Sequence, residues 1–93
     1  MLSWVYMRES VIEKNLVRQV EALGGITYKL SPIGRINKPD RLVMLPGGKV
    51  IFVECKRPGE KPRSGQVREH ERLRKLGFRV EVLDSHDVRF LYD

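Results

Sequence analysis

The fold is decided by residues 39–56, Pro39-Asp40-Arg41-Leu42-Val43-Met44-Leu45-Pro46-Gly47-Gly48-Lys49-Val50-Ile51-Phe52-Val53-Glu54-Cys55-Lys56. Two apolar runs flank a Pro-Gly-Gly turn, which is the signal of a β-hairpin. The hairpin doubles the chain back, so its open end brings Asp40 close to Glu54 and Lys56. Two carboxylates and a lysine at one end of a small hydrophobic sheet are costly unless something compensates them. A divalent metal ion would do so.

Side chains alternate along a strand. Val50, Phe52, Glu54 and Lys56 therefore share one face of the second strand, and Ile51, Val53 and Cys55 share the other. Both faces are apolar until the end, which predicts a central strand covered by a helix on each side. Cys55 reads as a small core residue. It is the only cysteine, so no internal disulfide forms, and a reducing compartment is expected.

N-terminal to the hairpin, Ile12, Leu16, Val20 and Leu23 recur at helical spacing. They predict a helix over 8–23 that ends at Gly24-Gly25. At about 100° per residue, Glu9 and Glu13 fall on or beside the apolar stripe, while Lys14, Arg18 and Glu21 lie away from it. Two readings of Glu13 stand. Ser10-Val11-Ile12-Glu13 fits a capping box, and the same carboxylate could be aimed at the acidic end of the hairpin. Residues 26–30 read as a short strand. Residues 31–39 read as a loop whose Arg35 and Lys38 are placed to meet phosphate. Met1–Tyr6 is apolar but too short for a signal peptide, and it reads as an N-terminal arm.

C-terminal to the hairpin, Arg57-Pro58-Gly59-Glu60-Lys61-Pro62-Arg63 is a basic loop. Ser64 suits the N-cap of a helix over about 65–76, closed by Gly77. Gln66, His70 and Leu73 fall on one side of it. Gln66 faces inward in the first turn, where a polar side chain needs a partner. His70 and His86 lack a second His or a Cys at metal-ligand spacing, so neither reads as a ligand. A last strand over 78–83 and a short closing turn give the order α-β-β-β-α-β.

The chain has 93 residues, 41% hydrophobic and 32% charged. That is the size and composition of one globular domain, taken here as 1–93 with 1–6 as the arm. A net charge of +6 favours a polyanionic partner, and nucleic acid is the usual one. No apolar run reaches the roughly 18 residues of a membrane span. Phosphate-binding glycine loops and nucleophile elbows are absent from the sequence.

The inventory at one site is then Glu13, Asp40, Glu54, Lys56 and Gln66. Oxygen donors without His or Cys favour Mg²⁺ or Mn²⁺ over zinc. A lysine on the same strand face can hold or activate a water and neutralise developing charge. The set suits metal-assisted phosphodiester hydrolysis, and the basic surface suits its substrate.

Pro39-Asp40 with Glu54-Cys55-Lys56 across a hairpin resembles the PD-(D/E)XK nuclease superfamily, and the resemblance spans nearly the whole chain. More narrowly, the chain is similar to stand-alone VRR-NUC domains of bacterial or phage type. The similarity lies in the Glu-bearing first helix ending in Gly24-Gly25, the Leu-Pro-Gly-Gly turn, Val53-Glu54-Cys55-Lys56, and the helix carrying Gln66 before Leu73-Arg74-Lys75-Leu76-Gly77. It implies an α/β restriction-endonuclease-like core with a mixed central sheet flanked by helices. Asp40 and Glu54 would ligate Mg²⁺ together with the Cys55 backbone carbonyl. Lys56 would position or deprotonate the water, and Gln66 would support the site or contact the phosphate. Archaeal Holliday-junction resolvases are similar in carrying a helix-one Glu eleven residues before a Gly. Glu13 stands eleven before Gly24, so Glu13 is preferred to Glu9 as the helix-one acid, with any contact to the metal through water. One departure is Asn37-Lys38 before Pro39-Asp40, where the family often has Gly. Asn tolerates positive φ, so the turn is expected to survive.

The resemblance implies an Mg²⁺-dependent, structure-specific endodeoxyribonuclease, expected as a homodimeric Holliday-junction resolvase. A two-fold junction needs two cuts, and a C₂ dimer supplies two sites. Arg35, Lys38, Arg57, Lys61 and Arg63 are the expected DNA contacts. The alternatives are a nuclease on flaps or other branched DNA, a general nickase, or a non-catalytic basic DNA-binding module. A cytoplasmic setting, in a bacterium or a phage-infected host, is expected.

Overall fold

The hairpin forms the middle of a four-stranded mixed sheet in the computed structural model, which describes residues 7–93. The arm expected over residues 1–6 lies outside the described residues. The strands are β1 (Ile26–Lys29), β2 (Arg41–Leu45), β3 (Lys49–Cys55) and β4 (Arg79–Leu83), in the spatial order β1-β2-β3-β4. β1 and β2 pair antiparallel, β2 and β3 pair antiparallel, and β3 and β4 pair parallel. Helix α1 (Glu9–Ala22) precedes the sheet, helix α2 (Ser64–Lys75) crosses from β3 to β4, and a 3₁₀ turn (Arg89–Tyr92) closes the chain. The parallel pair follows from α2, because parallel neighbours need a crossover connection.

The centre of one face of the sheet is covered by α1 and the closing turn. Ile12, Leu16 and Val20 of α1 are buried against Val43, Leu45, Ile51, Val53, Cys55 and Leu83, with Leu91 of the closing turn completing the cluster. Burying such side chains supplies about 1.5–3 kcal/mol each. Gly25 lets the chain drop from α1 directly onto β2: a Cβ there would lie 2.4 Å from the Met44 carbonyl oxygen.

The second face departs from the expectation of full cover. α2 packs chiefly against β4 and leaves the β1–β2 half open. Register places Ile26, Met44 and Val50 in one row of this face, and Tyr28, Leu42, Phe52 and Val80 in the next. Ile26, Tyr28 and Val50 are exposed, and the ring of Phe52 meets that of Phe78 edge-on at 5.7 Å. A helix of 12 residues on one end of the sheet is too narrow to shield four strands.

The helix starts also differ. α1 begins at Glu9 with Arg8 at its N-cap and no side-chain cap, so Ser10 and Glu13 lie inside the helix and form no capping box. α2 begins one residue earlier than expected, and Arg63 rather than Ser64 occupies the cap position. There the Gln66 side-chain oxygen accepts the Arg63 N–H at 2.9 Å.

Candidate active site

The antiparallel ladder explains why Asp40 and Glu54 meet. Arg41 pairs with Val53, and one further step sets Asp40 opposite Glu54 on the α2 face. The Asp40 carboxylate is fixed by the Cys55 backbone N–H, which donates to Oδ2 at 2.7 Å. The Leu30 N–H holds the Asp40 carbonyl at 2.9 Å. Pro39 before it is fully buried.

Glu54 is 2% exposed. Gln66 Nε2 donates to its Oε2 at 3.1 Å, and His70 Nε2 lies 3.3 Å from its Oε1. Gln66 and His70 stand one helical turn apart on α2, so both reach the same carboxyl. Burial pushes the Glu54 carboxyl up to about 8; the Asp40 charge adds to this, Lys56 opposes it, and a hydrogen bond shared with Asp40 raises it further. His70 is driven the other way, chiefly by burial and then by the Arg74 and Lys56 charges. A neutral His70 can therefore donate through its Nε2–H tautomer when Glu54 is ionised.

Lys56 is 6% exposed and follows Glu54 on the same strand face. Its backbone N–H is tied to the Leu83 carbonyl at 2.9 Å. Among the described residues, its ammonium enters no salt bridge. Cys55 is wholly buried, and burial raises its thiol far above the ordinary range, so its sulfur is an inert core group.

The two helix-one acids separate. Glu13 lies on the α1 side, where its Oε2 accepts from Arg41 Nε at 2.7 Å and sits 3.9 Å from Lys29 Nζ. Arg41 and Lys29 are opposite one another on β2 and β1. Glu13 is thus bound to cations on the face away from Glu54. Glu9, one turn earlier, is near enough to Asp40 and Lys56 to feel both charges. Burial raises its carboxyl, as does the Asp40 charge, while Lys56 opposes.

A basic rim surrounds this end. Arg35, Arg57, Lys61 and Arg63 are exposed and Lys38 is half-buried. Arg35 Nε donates to Glu69 Oε2 at 2.7 Å, which fastens the 31–38 loop to α2. The loop and α2 enclose a groove of about 410 Å³, lined by Lys38, Arg63, Gln66 and Asp40 among others. Asn37 adopts φ +64°, so the turn before Pro39-Asp40 is kept without the usual glycine.

Asp40, Glu54, Lys56 and Gln66 lie together as expected from the sequence, and the contact of His70 with Glu54 is an addition to that set. The signal for His70 was its spacing of four residues from Gln66, which puts two polar side chains on one inward stripe.

A mixed sheet that carries Pro-Asp and Glu-x-Lys on the ends of its hairpin, with a helix on each side, defines the restriction-endonuclease-like class. Comparison narrows this. No family profile matches the chain. A solved structure described as a VRR_NUC domain superposes with a TM-score of 0.81 at 43% identity, covering 90% of this chain and 95% of that one. A protein of Acyrthosiphon pisum secondary endosymbiont phage 1, named "Putative nuclease p44", is 60% identical over 82 residues, 88% of each chain. The chain belongs to the VRR-NUC family of PD-(D/E)XK nucleases. No helix among its described residues is long and apolar enough to cross a membrane.

Proposed function

We propose that the chain is an Mg²⁺-dependent, structure-specific endodeoxyribonuclease that acts as a homodimer on branched DNA, with four-way junctions favoured. The observation that carries this reading is the Asp40–Glu54 pair, whose charge the protein alone under-compensates: burial and Asp40 together push Glu54 up to about 8. Among the described residues no three His, Cys, Asp or Glu side chains form a cation cage. The protein's share would be two carboxylates and the Cys55 carbonyl, with waters and substrate oxygens making up the rest. This donor set fits Mg²⁺, which retains water readily, and Mn²⁺ would substitute. Such an ion polarises a phosphoryl oxygen and lowers the pKa of the attacking water.

The remaining roles belong to side chains. Lys56 positions the water and neutralises charge on the phosphorane-like transition state. Gln66 and His70 hold the Glu54 oxygens in orientation, as groups behind metal-binding carboxylates do. Glu9, facing Asp40 and Lys56, supersedes Glu13 as the helix-one acid acting through water. Arg35, Lys38, Arg57, Lys61 and Arg63 neutralise backbone phosphates without reading sequence. The half-open strip of Ile26, Tyr28 and Val50 supports a two-fold partner, since an isologous interface needs a self-complementary apolar patch.

The test is cleavage of a synthetic four-way junction with and without Mg²⁺, beside matched flap and linear duplexes. Symmetric paired cuts on the junction are expected. Lys56→Ala should bind the junction and leave it intact. Cuts on the flap alone would make this a flap nuclease. Binding without cleavage by the unaltered protein would make it a scaffold.

A further inference from the structure

The two most exposed large apolar side chains among the described residues are neighbours on one loop. Ile33 is 83% exposed and Ile36 is 73% exposed. Singly exposed apolar residues need no explanation, but these two stand on a loop that is built rather than slack. Ser31 Oγ accepts the Ile33 N–H at 3.0 Å, and Lys38 Nζ donates to the Ile33 carbonyl at 2.8 Å. Arg35 pins the centre of the loop to Glu69. Asn37 is wedged against Gly65, where a Cβ would lie 2.7 Å from Asn37 Nδ2. Each polar contact turns inward to the loop or to α2, and both isoleucines are left outside. Arg35 and Lys38 alternate with them, and the loop runs directly into Pro39-Asp40.

We propose that Ile33 and Ile36 form an apolar wedge that inserts between bases where DNA stacking is already interrupted, beside the phosphate presented to Asp40. The occupant follows from the chemistry. Cations interleaved with branched aliphatic tips suit a polyanion with an accessible apolar interior, and unstacked bases at a branch or nick supply both. Intact duplex keeps its base faces stacked away, and opening a stacked step costs a few kcal/mol. The wedge therefore senses DNA structure, while the five basic residues bind any DNA. This inference rests on the nuclease reading and specifies how its substrate is chosen.

The experiment compares wild type, Ile33→Ser/Ile36→Ser and Ile33→Leu/Ile36→Leu. All are titrated in EDTA against a four-way junction, a nicked duplex and an intact duplex. The interrupted DNAs carry 2-aminopurine next to the branch or nick. Wild type and the Leu pair should raise 2-aminopurine fluorescence. The Ser pair should lose that rise and bind interrupted DNA roughly tenfold more weakly, with intact duplex binding within about twofold of wild type. Equal weakening on all three DNAs, or no fluorescence rise with wild type, overturns the wedge. So does a Ser pair that changes sedimentation but not fluorescence, since the isoleucines would then be a protein contact. Mg²⁺ cleavage is scored separately. Wild type that cuts while the Ser pair discriminates normally sinks the wedge alone; wild type that unstacks bases but never cuts sinks the nuclease reading alone.

Discussion

Replacing Glu54 with Gln should make the metal-free protein more stable at alkaline pH while abolishing cleavage. The unfolded chain ionises Glu54 near its ordinary value of about 4.3. The folded chain holds that carboxyl protonated up to about 8. Between those values the folded state binds more protons than the unfolded one, so stability falls as pH rises through the window. Taken at face value, the gap is a ceiling of roughly 4–5 kcal/mol at pH 8 and about 1 kcal/mol at pH 5. Joint titration with Asp40 and relaxation around the charge reduce this to about 1–3 kcal/mol at pH 8. Gln is a fair isostere: its oxygen can accept from Gln66 Nε2 and its amide can donate to His70, so any packing offset is independent of pH. The assay is urea unfolding in EDTA at pH 5, 6.5 and 8. The variant-minus-wild-type difference in unfolding free energy should grow with pH, reaching about 1–3 kcal/mol at pH 8. A difference that stays constant with pH would refute the reasoning. So would a variant less stable than wild type only at pH 8. Millimolar Mg²⁺ should restore wild type at pH 8 and leave Glu54→Gln unchanged.

Three further outcomes are expected. Glu9→Gln should slow cleavage roughly 10–100-fold with little change in stability, whereas Glu13→Gln should leave cleavage nearly intact and cost about 1–2 kcal/mol by freeing Arg41; single-turnover rates and urea midpoints separate the two. Gly25→Ala should cost about 2–3 kcal/mol, because the carbonyl of Met44 is backbone and cannot move aside; a midpoint within error of wild type contradicts that placement. Binding to branched DNA in EDTA should weaken with salt at a log–log slope of about −4 to −5 per protomer if all five basic residues meet phosphate; a slope near −1 would show that most of them do not.

The strand-borne part of the site was legible because a ladder has simple arithmetic. A Gly-Gly turn fixes the register, register sets Asp40 against Glu54, and alternation puts Lys56 on the same face. Gln66 was legible as a polar residue on an inward stripe. The contrast between the two helix-one carboxylates was not. Glu9 and Glu13 lie one turn apart and both border the apolar face, so helical periodicity cannot say which is bound by Arg41 and Lys29 and which feels the Asp40 and Lys56 charges. What separates them is tertiary: Arg41 and Lys29 come together on the α1 face and capture Glu13. The half-open second face was also beyond periodicity, because alternation reports that both sides of β3 are apolar and not how wide the covering helix is.

That open face and the buried carboxyl are linked by the shortness of α2. A single short helix on the second face has to cover hydrophobic rows and also enclose an acid, and α2 is spent on the acid. Its inward polar residues, Gln66 and His70, are aimed at Glu54, which leaves Ile26, Tyr28 and Val50 without a helix. A longer α2 or an added helix would cover those rows, and the described residues contain neither. A second copy would supply the missing cover without further sequence, and would set a second Asp40–Glu54 pair in fixed relation to the first. On the dimeric reading, assembly and catalysis would have a common physical origin. The strip that a second copy would cover is the strip that α2 leaves exposed while it holds one carboxyl in place.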